Sequence, residues 1–170
     1  KKLRQGQLLN ITDNVVNGDT LFETLATLVQ KNIYQLHDEH HSTNSEGMQV
    51  SLGVVRIANI NPMVELAKAL CSLATDNQYS FHFCIYHSQF PLALRSYKET
   101  RLDNILTRYD ESALWQQPEI KQALATTTTK NNVFIVLGTS VVEVGRDHDY
   151  DWAIAEPSSL RALIQLAGRL

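Results

Sequence analysis

The sequence predicts an α/β fold, a parallel sheet with helices on both faces, and three observations carry that prediction. Short apolar segments alternate along the chain with stretches of helical periodicity, which is the rhythm of βαβ units. The candidate strands "QVSLGVVRIAN", "FHFCIYH" and "NVFIVLG" are too uniformly apolar for strands with one wet face, so both faces should be covered. With 170 residues, 44% of them hydrophobic, the chain can build one full domain with a substantial core.

The elements follow in order. Up to Gly18 the polarity is mixed and a short strand is the most that can be expected. Thr20 and Glu23 have capping-box spacing, and Leu21, Phe22, Leu25, Leu28, Val29, Ile33 and Leu36 recur at helical intervals, so a helix should run to about His37. "HHSTNSEGM" reads as a polar loop before the first buried strand. Asn61 and Pro62 suit an N-cap and first helical position, and Met63, Leu66, Ala67, Leu70 and Leu73 form the stripe of the helix they open. After the second strand, Phe90-Pro91 introduces a long helix with Leu94, Tyr97, Leu102, Ile105 and Leu106 on its apolar side. Lys98, Arg101 and Arg108 lie on another side, as a solvated face. "WQQPEIKQALATTTTK" is a short helix and a polar approach to the third strand; "DWAIAE" is a last strand; and a helix with Leu160, Leu163, Ile164 and Ala167 on its stripe closes the sequence.

Composition narrows the function classes. No apolar run approaches the length of a bilayer span. A formal charge of −3 gives no overall basic field, so nucleic-acid contact would need a local patch or a neighbouring domain. Cys71 and Cys84 lack the spacing of a zinc site or disulfide framework and read as two reduced core thiols. The chain begins Lys-Lys-Leu and stops at "QLAGRL" inside a helical pattern, which is expected of a piece cut from something longer.

The richest stretch is "GTSVVEVGRDHDYDWAI", which follows the third strand, with "QLAGR" ending 22 residues after Asp147. Together they resemble motifs V and VI of superfamily 2 helicases, and "VVEVGRDHDYDWAIAEPSSLRALIQLAGR" is similar to the pattern of the CRISPR-associated helicase-nuclease of type I systems. "GVVRIANINPMVELAKAL" resembles the strand and helix that open that family's second RecA-like lobe, and "YHSQFPLALRSYKETRLDNIL" its next strand and helix. "RIANI" and "HSQFPLALRS" point to subtype I-F. The resemblance covers residues 49–170, which would be a C-terminal RecA-like lobe cut off after the start of motif VI, and leaves residues 1–48 as an N-terminal extension with an amphipathic helix. If that extension packs on a missing domain, its apolar face from Leu21 to Leu36 should be partly exposed here.

The resemblance implies a role for each matching residue. Gly138 and Thr139 would meet a phosphate of single-stranded DNA through backbone N–H and hydroxyl; taken alone, Gly138 is a strand-ending turn. Arg95, joined by Lys98 and Arg101, and the strand-end His87 would contact the DNA backbone, while Gln89 can supply no charge. Gly145 would let the backbone approach a nucleotide and Asp147 would face the ATP ribose or the interlobe cleft; a solvated turn aspartate is the alternative. Arg146 takes no role. Gln165, Gly168 and Arg169 resemble the start of motif VI, where the guanidinium would stabilise phosphates during transfer; the further arginine that the resemblance leads one to expect a few residues on is absent here.

No GxxxxGK[ST] phosphate loop occurs, so ATP phosphates and Mg²⁺ would be held by a first RecA-like lobe, and this chain alone should turn over no ATP. The implied partners are that lobe, a nuclease domain of the same polypeptide, a CRISPR effector complex and single-stranded DNA, in the bacterial cytoplasm. A non-catalytic nucleic-acid-binding or docking lobe, or a lobe of another superfamily 2 helicase, is the alternative. Two clusters invite a metal reading, His37, Asp38, His40 and His41 in "LHDEHH" and Asp147, His148, Asp149 and Asp151 in "RDHDYD". The first reads better as a solvated helix end and the second as motif V, so no metal site is expected.

Overall fold

A computed structural model describes residues 6–9, 18–108, 111–143 and 148–170. The element order is α1 (Gly18–His40), β1 (Ser42–Thr43), β2 (Gln49–Arg56), α2 (Ile60–Ser72), β3 (Tyr79–Tyr86), α3 (Leu92–Leu106), α4 (Glu111–Gln116), α5 (Pro118–Thr126), β4 (Asn131–Gly138), a 3₁₀ turn (Ser140–Glu143), β5 (Trp152–Ala155) and α6 (Leu160–Ala167). Strands β2, β3, β4 and β5 are parallel, in the spatial order β3-β4-β2-β5, and β1 adds a two-residue antiparallel pairing to the start of β2. This is the expected α/β sheet, with α-helices in the β2–β3 and β3–β4 crossovers.

The two faces are separate cores. On one, Ala26, Val29 and Ile33 of α1 and Met63, Leu66 and Leu70 of α2 pack on Val55, Val133, Ile135, Leu137 and Trp152. On the other, Leu102 and Leu106 of α3, Leu114 of α4, Ile120 of α5 and Leu166 of α6 cover Val50, Leu52, Val54 and Val136. The central strands β2 and β4 are apolar on both sides because both sides are buried, whereas β3, at the edge, is only half-buried along most of its length. Between α3 and the sheet a groove of about 410 Å³ stays open, lined by Cys84, Leu94, Tyr97, Ile105 and Phe134 among others.

Several sequence expectations need correction. Cys71 is exposed on α2 and not a core thiol. The apolar face of α1 is partly exposed, as expected, with Leu21 exposed and Phe22, Leu25, Leu28 and Leu36 half-buried, but Ala26, Val29 and Ile33 enter the core. The helix α2 starts earlier than Asn61-Pro62 suggests, with Asn59 as N-cap, since the first turn accommodates Pro62 without needing its N–H. The polar loop after α1 contains β1, and "WQQPEIKQALATTTTK" divides into the end of α4 and α5. On α6 the stripe is reversed, because Leu160, Leu163 and Ile164 face outward while Ala162 and Leu166 enter the core. The possible strand before Gly18 falls largely outside the described residues.

Candidate functional site

In a parallel sheet, the carboxyl ends of the strands leave room for a ligand where neighbouring crossovers diverge. A polar cleft of about 610 Å³ opens there, lined by Ala58, Asn59, Ile60, Asn61 and Pro62 from the β2–α2 junction, Ser88 and Gln89 after β3, and Thr139 and Ser140 after β4. The side chain of Asn59 makes no capping bond and the first turn of α2 carries no acidic residue. The positive end of the helix dipole, with the N–H groups of Ile60 and Asn61 (Pro62 has none), therefore lies at the cleft, an arrangement suited to an anion.

The turn after β4 is tightly made. A Cβ on Gly138 would stand 2.3 Å from Val142 Cγ1 and 2.9 Å from the Tyr86 carbonyl, so only glycine lets the 3₁₀ turn fold back so closely. The Gly138 carbonyl accepts from Ile57 N–H (3.0 Å), and that of Thr139 from Val142 N–H (3.1 Å). Beneath the turn lies a buried ion pair: Arg56 Nε donates to Glu143 Oε1 at 2.7 Å, with both side chains less than a tenth exposed. Arg56 Nη1 also donates to the Glu156 carbonyl (2.9 Å), and Glu156 Oε2 accepts from Ala58 N–H (2.7 Å).

Of the residues the sequence singled out, the structure places Thr139 in the lining of this cleft, with Gly138 just before it at the end of β4. His87 sits just after β3, its ring stacked on Phe90 (4.2 Å between centroids), and burial followed by the charge of Lys98 lowers its pKa. Arg95 lies in the first turn of α3, 3.8 Å from Glu99 Oε1, while Glu99 itself accepts a short bond from Tyr86 Oη. Lys98 and Arg101 are not a free basic face: Lys98 Nζ donates to the Ile85 carbonyl and lies over the Phe90 ring, and Arg101 pairs with Glu119 at 2.6 Å. Gln165 is exposed on α6, Gly168 is its C-cap, and the Arg169 carbonyl accepts from Tyr150 N–H (2.7 Å). Gly145 and Asp147, with Arg146, lie outside the described residues.

The polar run answers to structure as much as to chemistry. His148 Nε2 donates to Asp103 Oδ1 (2.6 Å), Asp149 N–H donates to the Leu106 carbonyl, and Asp151 takes Arg108 Nη2 on one oxygen (2.8 Å) and Leu52 N–H on the other (2.7 Å). Burial raises the pKa of Asp151, against the opposing pull of Arg108 and of the Leu52 N–H. In the other cluster His37 is not solvated: it is fully buried and bonded to Ser51, while Asp38 accepts from Tyr79 Oη (2.8 Å) and His41 is bonded to the His37 carbonyl and to Gln49. Sequence reasoning missed Arg56, Glu143, Asn59 and Ser88. A charged residue between Val55 and Ile57 in a buried strand signals a buried partner, but nothing in the sequence says that it is Glu143, 87 residues away.

Comparison with known proteins bears on these residues. The family model for the C-terminal region of the CRISPR-associated nuclease/helicase Cas3 matches residues 49–170. A CRISPR-associated nuclease/helicase Cas3 of subtype I-F/YPEST from Pectobacterium atrosepticum is 47% identical over 168 residues, which is 99% of this chain and 15% of that protein. The corresponding protein of Pseudomonas aeruginosa is 43% identical over 169 residues, 98% of this chain and 16% of that protein. The likeness thus extends through the first 48 residues, further than the motifs alone carried it. Among solved structures, the crystal structure of T. fusca Cas3-ATP superimposes with a TM-score of 0.52 at 16% identity, over 94% of this chain and 14% of that one, a likeness of RecA-like fold. By the family model that matches most of its length, the chain belongs to the family of the Cas3 C-terminal region, and it is similar to about a sixth of the length of the two subtype I-F/YPEST proteins.

Proposed function

We propose that this chain is the second RecA-like lobe of a DNA helicase coupled to a nuclease in type I CRISPR interference, and that the cleft at the ends of β2, β3 and β4 holds the phosphates of single-stranded DNA. The observation that supports it best is the convergence of the uncapped α2 N-terminus with Ser88, Gln89, Thr139 and Ser140, all neutral donors suited to a sequence-independent backbone grip. Arg95 extends the track onto α3 as its charged part, with His87, kept neutral by burial and Lys98, beside it after β3. The family model begins at residue 49, which supports reading residues 1–48 as an extension that completes the core.

ATP and Mg²⁺ belong to the same reading. Gln165, Gly168 and Arg169, with Gly145 and Asp147, would face a nucleotide whose phosphates and metal are held by a first lobe, since the chain has no phosphate loop. The chain by itself then hydrolyses no ATP; the first lobe and nuclease domain of a longer polypeptide and a CRISPR effector complex supply the rest, in the bacterial cytoplasm. Among the described residues no helix is long and apolar enough to cross a membrane.

The test is binding of labelled single-stranded DNA across a salt series, with ATP turnover measured beside it. Thr139→Ala should weaken binding about equally at every salt concentration, because it removes a neutral donor. Arg95→Ala should also flatten the salt dependence by roughly one counterion. Unchanged affinity in both variants, or magnesium-dependent turnover by the chain alone, overturns the reading.

A further inference from the structure

The cleft is assembled from three separate loops, and a backbone grip on phosphate works only if its donors are held at fixed spacing. Hydrogen bonding within each loop does not set that spacing. Two of them, the β2–α2 junction and the turn after β4, are joined by the Ile57 N–H to Gly138 carbonyl bond and, through side chains, by Arg56, the last residue of β2. Its Nε holds Glu143, at the end of the 3₁₀ turn that begins beside Thr139. Its Nη1 holds the carbonyl of Glu156 after β5, and the carboxylate of Glu156 returns to Ala58 N–H, on the cleft wall next to Asn59. Arg56 and Gly138 are register partners across β2 and β4, so the ion pair closes a ring of which the cleft turn is one side.

We propose that Arg56 and Glu143 are positioning residues for the nucleic-acid cleft, a buried strut that holds the Thr139–Ser140 turn against the N-terminus of α2. Neither side chain lines the cleft or reaches solvent to meet DNA itself, with Arg56 4% and Glu143 9% exposed. A pair kept only for stability would be a poor choice, since two apolar side chains of like volume in the same place are commonly as good or better. Directionality is what an apolar pair lacks: the Arg56 fork fixes the angle between two loops as well as their distance. This inference rests on the reading of the cleft as the DNA site.

The experiment uses the full-length polypeptide carrying this lobe and compares Thr139→Ala, Glu143→Gln and the double variant Arg56→Met/Glu143→Leu. Melting temperature, affinity for labelled single-stranded DNA and ATP turnover without DNA are measured for each. The double variant should melt within a few degrees of the parent and keep its DNA-free turnover within about twofold, yet lose DNA affinity on the order of tenfold, in step with Thr139→Ala. Glu143→Gln, which keeps the acceptor but not the charge, should fall between. Thr139→Ala weakening DNA while a well-folded double variant binds like the parent overturns the strut alone. No effect of Thr139→Ala overturns the cleft assignment, and the strut with it. A double variant that fails to fold, with Glu143→Gln binding like the parent, shows a purely structural pair and also overturns the inference.

Discussion

His37 shows how one side chain can be set by its surroundings. Trp152 Nε1 donates to Ser51 Oγ at 3.1 Å, and the same oxygen lies 2.8 Å from His37 Nδ1, so the imidazole is held through one ring nitrogen by a buried hydroxyl. Burial, reinforced by His41, pulls the pKa of His37 down to about 4 despite the opposing influence of Asp38 and Asn131. The folded state thus binds this proton less readily than the unfolded chain. Stability from this group is complete above pH 6.5 and is lost as pH falls toward 4, by about 3 kcal/mol. Denaturant melts at pH 7 and pH 4.5 should show this slope, and His37→Gln should flatten it. The sequence contained the clue, since His37 follows Ile33 by one helical step and so continues the buried stripe; the adjoining acidic and histidine residues masked it.

At the scale of elements, apolar periodicity locates helices but does not say which face meets the sheet. Eight-residue α6 has apolar side chains on two faces, and the more apolar of them, with Leu160, Leu163 and Ile164, points away from the core. Its N-terminus is capped by Ser159 Oγ, which accepts from Ala162 N–H at 3.1 Å, and on the inner face Leu166 joins the core cluster that holds Val142 and Tyr150. Leu166→Ala should therefore cost about 2–4 kcal/mol in a denaturant melt, and Ile164→Ser no more than about 0.5 kcal/mol. Equal losses would mean that α6 is seated the other way. The strands were more legible than the helices, because β2 and β4 are buried on both faces and so need no choice of face.

The whole molecule has two cores on one sheet, and α1 belongs to the first of them as fully as α2 does. A chain shortened to residues 49–170 would leave Met63, Leu66, Val55 and Trp152 without the side chains of Ala26, Val29 and Ile33 above them. It should aggregate or melt far below the parent, which circular dichroism and light scattering would register. The fold class and strand order of events along the chain were readable because each βαβ unit is local in sequence. The joining of strand ends by Arg56, Glu143 and Glu156 was not, since such pairings depend on which loops the sheet brings together.

One edge of β2 is paired with β1 at Gln49 and Val50 and with β5 only from Gly53 onward. In the gap, Leu52 donates its N–H to the Asp151 carboxylate and accepts from the Asp151 N–H (2.8 Å), so one residue completes the ladder for the strand that is missing there. The deuterium uptake of that amide is consequently a clock for the neighbouring loop. It should stay slow while residues 148–151 remain docked and quicken in Asp151→Ala without a matching change at Val133 or Ile135, so that a single proton, timed by NMR, reports opening between residues 148–151 and the sheet.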